Sequence, residues 1–295
     1  MIVSETGGVW GRALGIALPK ESKGSEIDES KLTGVACAAP GHCVAVGSFQ
    51  EGALYGSHRA HAFVVSESGG SWAQPQEVVS SSAVTDGENA GEELSSVSCP
   101  TVGECVALGA YGLREVESKA IDPQSGHPMT LTQVGGVWGK ATALSLPSYL
   151  RRPRDYALVS ISCPAPGRCV SVGNYEEQPF VLAQVGGIWS TARRIAPTRG
   201  LRGVDGGLDS VDCPAAGVCA AVGSYEGANT PAVPMVVTAS GRSWGQASEV
   251  SLRALARAGG VTRGIGNPLT SVACFSTRTC TAIGSEFTVS ATAQG

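Results

Sequence analysis

Charge, aromatic rings and long apolar runs are all scarce in this chain of 295 residues. Only 16% of its side chains are charged, 21 basic against 25 acidic, for a formal net charge of -4. That balance excludes a general nucleic-acid or acidic-membrane surface. No stretch approaches the roughly 18 apolar residues, free of Gly, Pro and charge, that a membrane-spanning helix needs. Aromatics make up 5% and methionine occurs three times, beside 40 glycines and 16 prolines. Such a chain turns often and packs small side chains, which excludes a helical bundle and favours short strands. At 42% hydrophobic residues over this length it carries enough core to be folded rather than disordered.

Ten cysteines fall in five pairs of identical spacing: Cys37/Cys43, Cys99/Cys105, Cys163/Cys169, Cys213/Cys219 and Cys274/Cys280. The phrases around them repeat, as in LTGVACAAPGHCVAVGSF and LSSVSCPTVGECVALGAY. A second phrase alternates with the first and ends at Trp10, Trp72, Trp138, Trp189 and Trp244, the only tryptophans present. Two alternating phrases in five copies define a repeat architecture.

Each copy reads as strands. An alternating stretch precedes the first cysteine, Pro and Gly mark a turn, and a short apolar strand follows the second, as in Val106-Ala107-Leu108. A β-rich run such as Phe63-Val64-Val65, a Gly-marked turn and a strand beginning at Trp complete the unit. Four antiparallel strands per unit make the blade of a β-propeller. Equivalent first cysteines recur at 62, 64, 50 and 61 residues, and the step from Cys274 through both termini to Cys37 is 58. The expectation is all-β: a five-bladed β-propeller over residues 1–295, one domain, with four antiparallel strands and one disulfide per blade. Its last blade would be closed by N- and C-terminal strands together, the last two from residues 1 to about 18, which leaves no open sheet edge.

The innermost strand must be slim near the axis. Thr33, Ser95, Val159, Asp209 and Thr270, each followed by Gly or Ser, fit that crowding, while Leu32, Leu94, Leu158, Leu208 and Leu269 with Val35, Val97, Ile161, Val211 and Val272 are expected as core between blades. The tryptophans read as packing anchors. The cysteine pairs sit on separate blades with only His42 close in sequence, so disulfides are expected and no metal site or cofactor. Each bridge is worth on the order of 2 kcal/mol and implies an oxidising compartment. An extracellular or cell-surface location is the expectation. No charged start followed by an apolar segment precedes the first repeat, so the export signal is expected to lie outside this chain.

The phrase SVSCPTVGECVALG with ESGGSW resembles the disulfide-containing propeller repeats of secreted bacterial proteins. More distantly, the Trp turn is similar to the Asp-box of sialidases and related propellers, Ser-x-Asp-x-Gly-x-Thr-Trp. Gly7, Gly69, Gly135, Gly186 and Gly241 match its Gly and the five Trp match, but Glu5, Glu67, Gln133, Gln184 and Ala239 replace its Asp. In sialidases that box is a structural turn, so the resemblance implies fold rather than catalysis.

Tight connections, the cysteine hairpins and Gly-Trp turns, belong to one face. Long irregular ones, such as Gln50 to His61, Gly112 to Pro128 and Arg253 to Pro268, belong to the other, where a ligand is expected over the central channel. Phe49, Tyr111, Tyr175 and Tyr225 recur at the end of the second strand, followed in three blades by Gln50, Glu176 and Glu226. Such rings either stack on sugars or pack beneath the loops. Arg151, Arg152 and Arg154 form a basic cluster suited to a carboxylate or phosphate, or a solvated loop. His58 and His61 are too few for a metal site.

No phosphate loop or nucleophile elbow occurs, and no spacing nominates a catalytic residue. The sequence therefore favours a non-catalytic extracellular binding module, lectin-like or protein-binding, acting as a monomer on polysaccharide or a surface protein. The alternatives are a sialidase-like glycoside hydrolase, with arginines and carboxylates drawn from Arg114, Arg151, Arg202, Arg263, Asp155, Asp205, Glu176 and Glu177, and a structural spacer of a larger surface protein.

Overall fold

The computed structural model describes residues 1–18, 26–52, 58–81, 91–115, 121–122, 126–144, 156–175, 178–190, 192–197, 205–227, 230–250, 268–284 and 288–292. Among them there is no helix, and none of the described segments is a helix long and apolar enough to cross a membrane. The chain forms two compact units, Met1–Ala143 and Leu144–Gly295. Together they contain five blades of the propeller type, each with its own disulfide.

In the first unit, β1 (Glu5–Thr6) and β2 (Val9–Trp10) form a small hairpin. Blade 1 orders β3 (Glu26–Ala39), β4 (His42–Gly52), β5 (His58–Ser68) and β6 (Ser71–Trp72), and β7 (Gln76–Glu77) returns to pair with β5. Blade 2 repeats this with β8 (Gly91–Thr101), β9 (Glu104–Glu115), β11 (His127–Val134), β12 (Val137–Trp138) and β13 (Thr142–Ala143), and β10 (Ile121–Asp122) extends β9. The outer strand expected from Trp onward is thus broken into two short pieces.

The second unit holds three blades. Blade 3 comprises β14 (Tyr156–Ala165), β15 (Arg168–Tyr175), β16 (Gln178–Val185), β17 (Ile188–Trp189) and β18 (Arg193–Arg194). Blade 4 comprises β19 (Asp205–Ala215), β20 (Val218–Gly227), β21 (Thr230–Ser240), β22 (Ser243–Trp244) and β23 (Ser248–Glu249). Blade 5 comprises β24 (Leu269–Ser276), β25 (Thr279–Gly284) and β26 (Thr288–Thr292). Here β26 takes the third place, with Ala291 opposite Cys280 as Gln184 lies opposite Cys169. Residues 288–292 form a β-rich run with the length and register to supply that strand from the C-terminal segment itself. Residues 1–18 pair with each other as β1 and β2 through the Gly-Trp turn, as the last two strands of a blade do: Glu5 lies opposite Trp10 as Glu67 lies opposite Trp72, and Ile2 bridges Leu14.

One irregularity recurs in every inner strand. The register slips between Leu32/Gly34, Leu94/Ser96, Leu158/Ser160, Leu208/Ser210 and Leu269/Ser271. Thr33, Ser95, Val159, Asp209 and Thr270 are therefore bulge residues, each one extra in the ladder. The bulge pushes a carbonyl against the second strand, where a Cβ on Gly47, Gly109, Gly173 or Gly223 would stand 1.8–2.1 Å from a backbone oxygen. Only glycine fits there. The bulge hydroxyls of Thr33, Ser95 and Thr270 donate to the carbonyls of Val46, Leu108 and Ile283 across it.

The expected inner core is present: Leu94, Leu158, Leu208 and Leu269, with Val97, Ile161, Val211 and Val272, are buried, and Leu32 is partly so. Val35 departs, at 64% exposed. Val97, Val211 and Val272 each pack against the blade preceding them in the chain. Trp10 likewise departs from its expected anchoring role, 68% exposed on a hairpin of only two strands. All five expected disulfides join Cys37–Cys43, Cys99–Cys105, Cys163–Cys169, Cys213–Cys219 and Cys274–Cys280, and five intact bridges indicate an oxidising environment.

Candidate functional site

The Gly-Trp turn is built the same way in several blades. Gln133 and Gln184, which stand where the Asp-box has its Asp, donate through Nε2 to the carbonyls of Gly136 and Gly187 at 3.2 and 3.3 Å. Glu5 serves its own turn by accepting the Gly8 N–H. The amide or carboxylate thus holds a turn whose paired glycines take positive φ, which a side chain there would strain.

Blade 4 breaks this pattern twice. Ala239 replaces the turn-holding Gln or Glu, and Arg242 replaces the second glycine. Ala239 leaves its turn without the amide or carboxylate that Gln133, Gln184 and Glu5 supply to theirs. A recess of 250 Å³ opens between blades 3 and 4, at their cysteine-hairpin end. It is lined by Arg168, Gln184, Ala239, Arg242 and Trp244, with both local disulfides contributing through Cys169 and Cys219. Trp244 is 9% exposed here, against 68% for Trp10, and its carbonyl accepts from Arg193 Nη2 of blade 3 at 3.3 Å. Gln184 is 5% exposed; its Nε2 is engaged by the turn, and its Oε1 has no partner. The carbonyl acceptor at Gly187 fixes which end of the amide faces the turn, so Oε1 is left as a buried acceptor without a partner in a residue that lines the recess.

Three of the ring residues expected to face a ligand are buried within their own blades. Phe49, Tyr175 and Tyr225 are 4%, 3% and 2% exposed, inside their blades. Phe49 stacks on His61 at 5.0 Å, and the Tyr225 hydroxyl donates to the Ile195 carbonyl at 3.1 Å. Burial pushes the Tyr225 hydroxyl up to about 12. Of the two readings open for these rings, packing is the one their burial fits, because the end of the second strand delivers them into the blade. Tyr111 is half-buried against His127 at 5.3 Å, and Glu226 is exposed opposite Asp205. Glu176, Arg151, Arg152 and Arg154 and most of the long connections lie outside the described residues.

A second polar cluster occupies blade 1. His61 Nδ1 meets Glu77 Oε1 at 2.7 Å and its Nε2 faces Glu51 Oε2 at 3.5 Å. The hydrogen bond from His61 holds the Glu77 carboxyl below its usual range. Burial raises that of Glu92, which accepts from Ser80. Among the described residues no group of three or more His, Cys, Asp or Glu is arranged to hold a metal ion.

No protein-family model matches the chain, and no curated protein sequence does. Among solved structures, it is similar to an α-L-arabinanase of Penicillium chrysogenum complexed with arabinobiose. The two share 10% identity over 88% of this chain and 73% of that one, with a TM-score of 0.42. It is also similar to YCF48 from Cyanidioschyzon merolae, at 11% identity over 92% and 98% of the two chains and a TM-score of 0.36. YCF48 bound to D1 peptide gives 9% identity, 94% and 98% coverage and a TM-score of 0.33. Likenesses this remote assign no activity to this chain.

Proposed function

We propose that the chain is a non-catalytic extracellular binding module, holding polysaccharide or a surface protein in the recess between blades 3 and 4. The repeat spacing supports taking residues 1–295 as one five-bladed domain. The observation that carries the reading is the convergence of blade 4's departures, Ala239 and Arg242, on one cavity beside the unpartnered Gln184 amide oxygen. A break in a repeat is how a symmetric scaffold acquires a single site. The recess offers guanidiniums, an amide and an indole, groups that bind and orient. Screening the oxidised protein against a glycan array and a panel of cell-surface proteins tests this. Binding without release of reducing ends is expected. Silence on both panels would remove the reading.

The hydrolase alternative has one observation in its favour, the polar cluster shared by blades 1 and 2, where His61 lowers the Glu77 carboxyl and burial raises that of Glu92 on β8. Turnover of a glycan, abolished by Glu92→Gln, would establish it over the binding reading.

A further inference from the structure

We propose that the recess between blades 3 and 4 recognises an acidic sugar, a uronate residue of an anionic polysaccharide. This rests on the binding-module reading and supplies its ligand class. The lining dictates the chemistry. Arg168 and Arg242, one from each blade, present two planar guanidiniums, the side chain best matched to a carboxylate through paired N–H donors. Gln184 lines the recess with a buried acceptor, Oε1, that lacks a partner, so a ligand O–H or N–H that reaches it supplies the missing donor. Trp244, Val170 and Ala239 give an apolar wall against which the C–H face of a sugar ring packs. A uronate carries all three complements within one ring: a carboxylate, hydroxyl donors and an apolar face.

A peptide is the competing source of a carboxylate and an N–H donor, and the sheets around the recess disfavour it. Extended peptides bind by adding to an open strand edge. Here the lining strands are already paired in their ladders, Cys169 with Gln184 and Cys219 with Ala239. At 250 Å³ the recess holds a ring rather than a length of chain.

Blade 4 also shows how the site arose from the repeat. The four other Gly-Trp turns carry Glu or Gln at the place of Ala239 and Gly at the place of Arg242. Reverting either residue therefore gives a side chain the blade is known to accommodate. Ala239→Gln refills the cavity and Arg242→Gly removes one guanidinium. Titrating the Trp fluorescence of the oxidised protein with a short oligogalacturonate, its neutral galactose counterpart and a short peptide with a free C-terminal carboxylate tests the assignment.

The uronate is expected to bind at least about tenfold more tightly than either competitor, and each reversion to weaken it about tenfold, the loss of one charge-assisted contact. Rising salt weakens it further. Equal binding of the neutral sugar, or tighter binding of the peptide, overturns the uronate assignment while leaving a binding module. Uronate binding unmoved by both reversions overturns the site. No uronate binding, with other ligands captured on the arrays, overturns the ligand class alone.

Discussion

The hydroxyl of Ser162 on blade 3 accepts the backbone N–H of Cys213 on blade 4 at 3.0 Å. The same hydroxyl donates to Asp212 Oδ1 at 3.2 Å, and Asp212 Oδ2 in turn accepts the N–H of Cys274 on blade 5 at 2.6 Å. Ser160 and Ser210 accept the amides of Val211 and Val272 in the same way. The serines of the inner strand are stitches between blades as well as small residues for a crowded axis.

Ser162→Ala is expected to destabilise the protein by about 1–2 kcal/mol, because the buried Cys213 amide loses its acceptor. A thermal melt at neutral pH measures this. An unchanged melting temperature would show that the stitch contributes nothing.

Gly173→Ala is expected to prevent folding or to cost several kcal/mol, since its Cβ would stand 1.8 Å from the Ala157 carbonyl oxygen. Gly245→Ala is the control, with nothing nearer than 3.6 Å. Similar yields of soluble, fully oxidised protein from the two variants would contradict the bulge account.

Tyr225→Phe leaves the Ile195 carbonyl without its donor and is expected to cost about 1 kcal/mol, whereas Tyr225→Ala empties a core site and costs about 3–5 kcal/mol. Neither change is expected to weaken ligand binding in the fraction that remains folded. Loss of affinity in folded Tyr225→Phe would return this ring to the binding surface.

Two carboxyls give opposite pH signatures. Burial raises Asp209 above its usual range, so the folded state favours its neutral form and stability falls as pH climbs through that raised value. Asp209→Thr, which installs the hydroxyl that Thr33 and Thr270 use at this bulge, is expected to stabilise by about 0.5–1 kcal/mol at pH 7, with the gain vanishing in acid. Glu77 is lowered by its hydrogen bond from His61, so its contribution is present above the unfolded carboxyl's range and is lost as pH falls through the lower folded value. Being half exposed, that pair contributes only about 0.5 kcal/mol, and Glu77→Gln removes it at pH 7. Melting curves across pH separate the two. A destabilised Asp209→Thr at pH 7, or a Glu77→Gln deficit that persists in acid, would contradict these assignments.

The blades were legible in the sequence because their determinants are local and repeated: paired cysteines, Gly-marked turns and alternating apolar runs. Thr33 and its counterparts stand out in the sequence as slim residues beside Gly or Ser, but crowding is only part of the reason. A bulge is a relation between two strands and emerges only when register is known. The site was harder. Phe49, Tyr175 and Tyr225 recur at the end of the second strand and are buried there, and repetition alone does not distinguish a packing ring from a binding one. The informative signal was the opposite one, the failure of Ala239 and Arg242 to repeat. Their meaning depends on Arg168 and Gln184, more than fifty residues earlier in the chain, which only the packing of blade 3 on blade 4 brings to the same recess.

Hydrogen exchange with and without saturating oligogalacturonate tests the binding account most directly. The account predicts added protection in residues 164–170, 183–187, 216–219 and 239–244, the strand ends and turns around the recess, with the Glu51–His61–Glu77 cluster unchanged. Protection confined to blade 1, or to the ends of the second strands near Tyr175 and Tyr225, would contradict it.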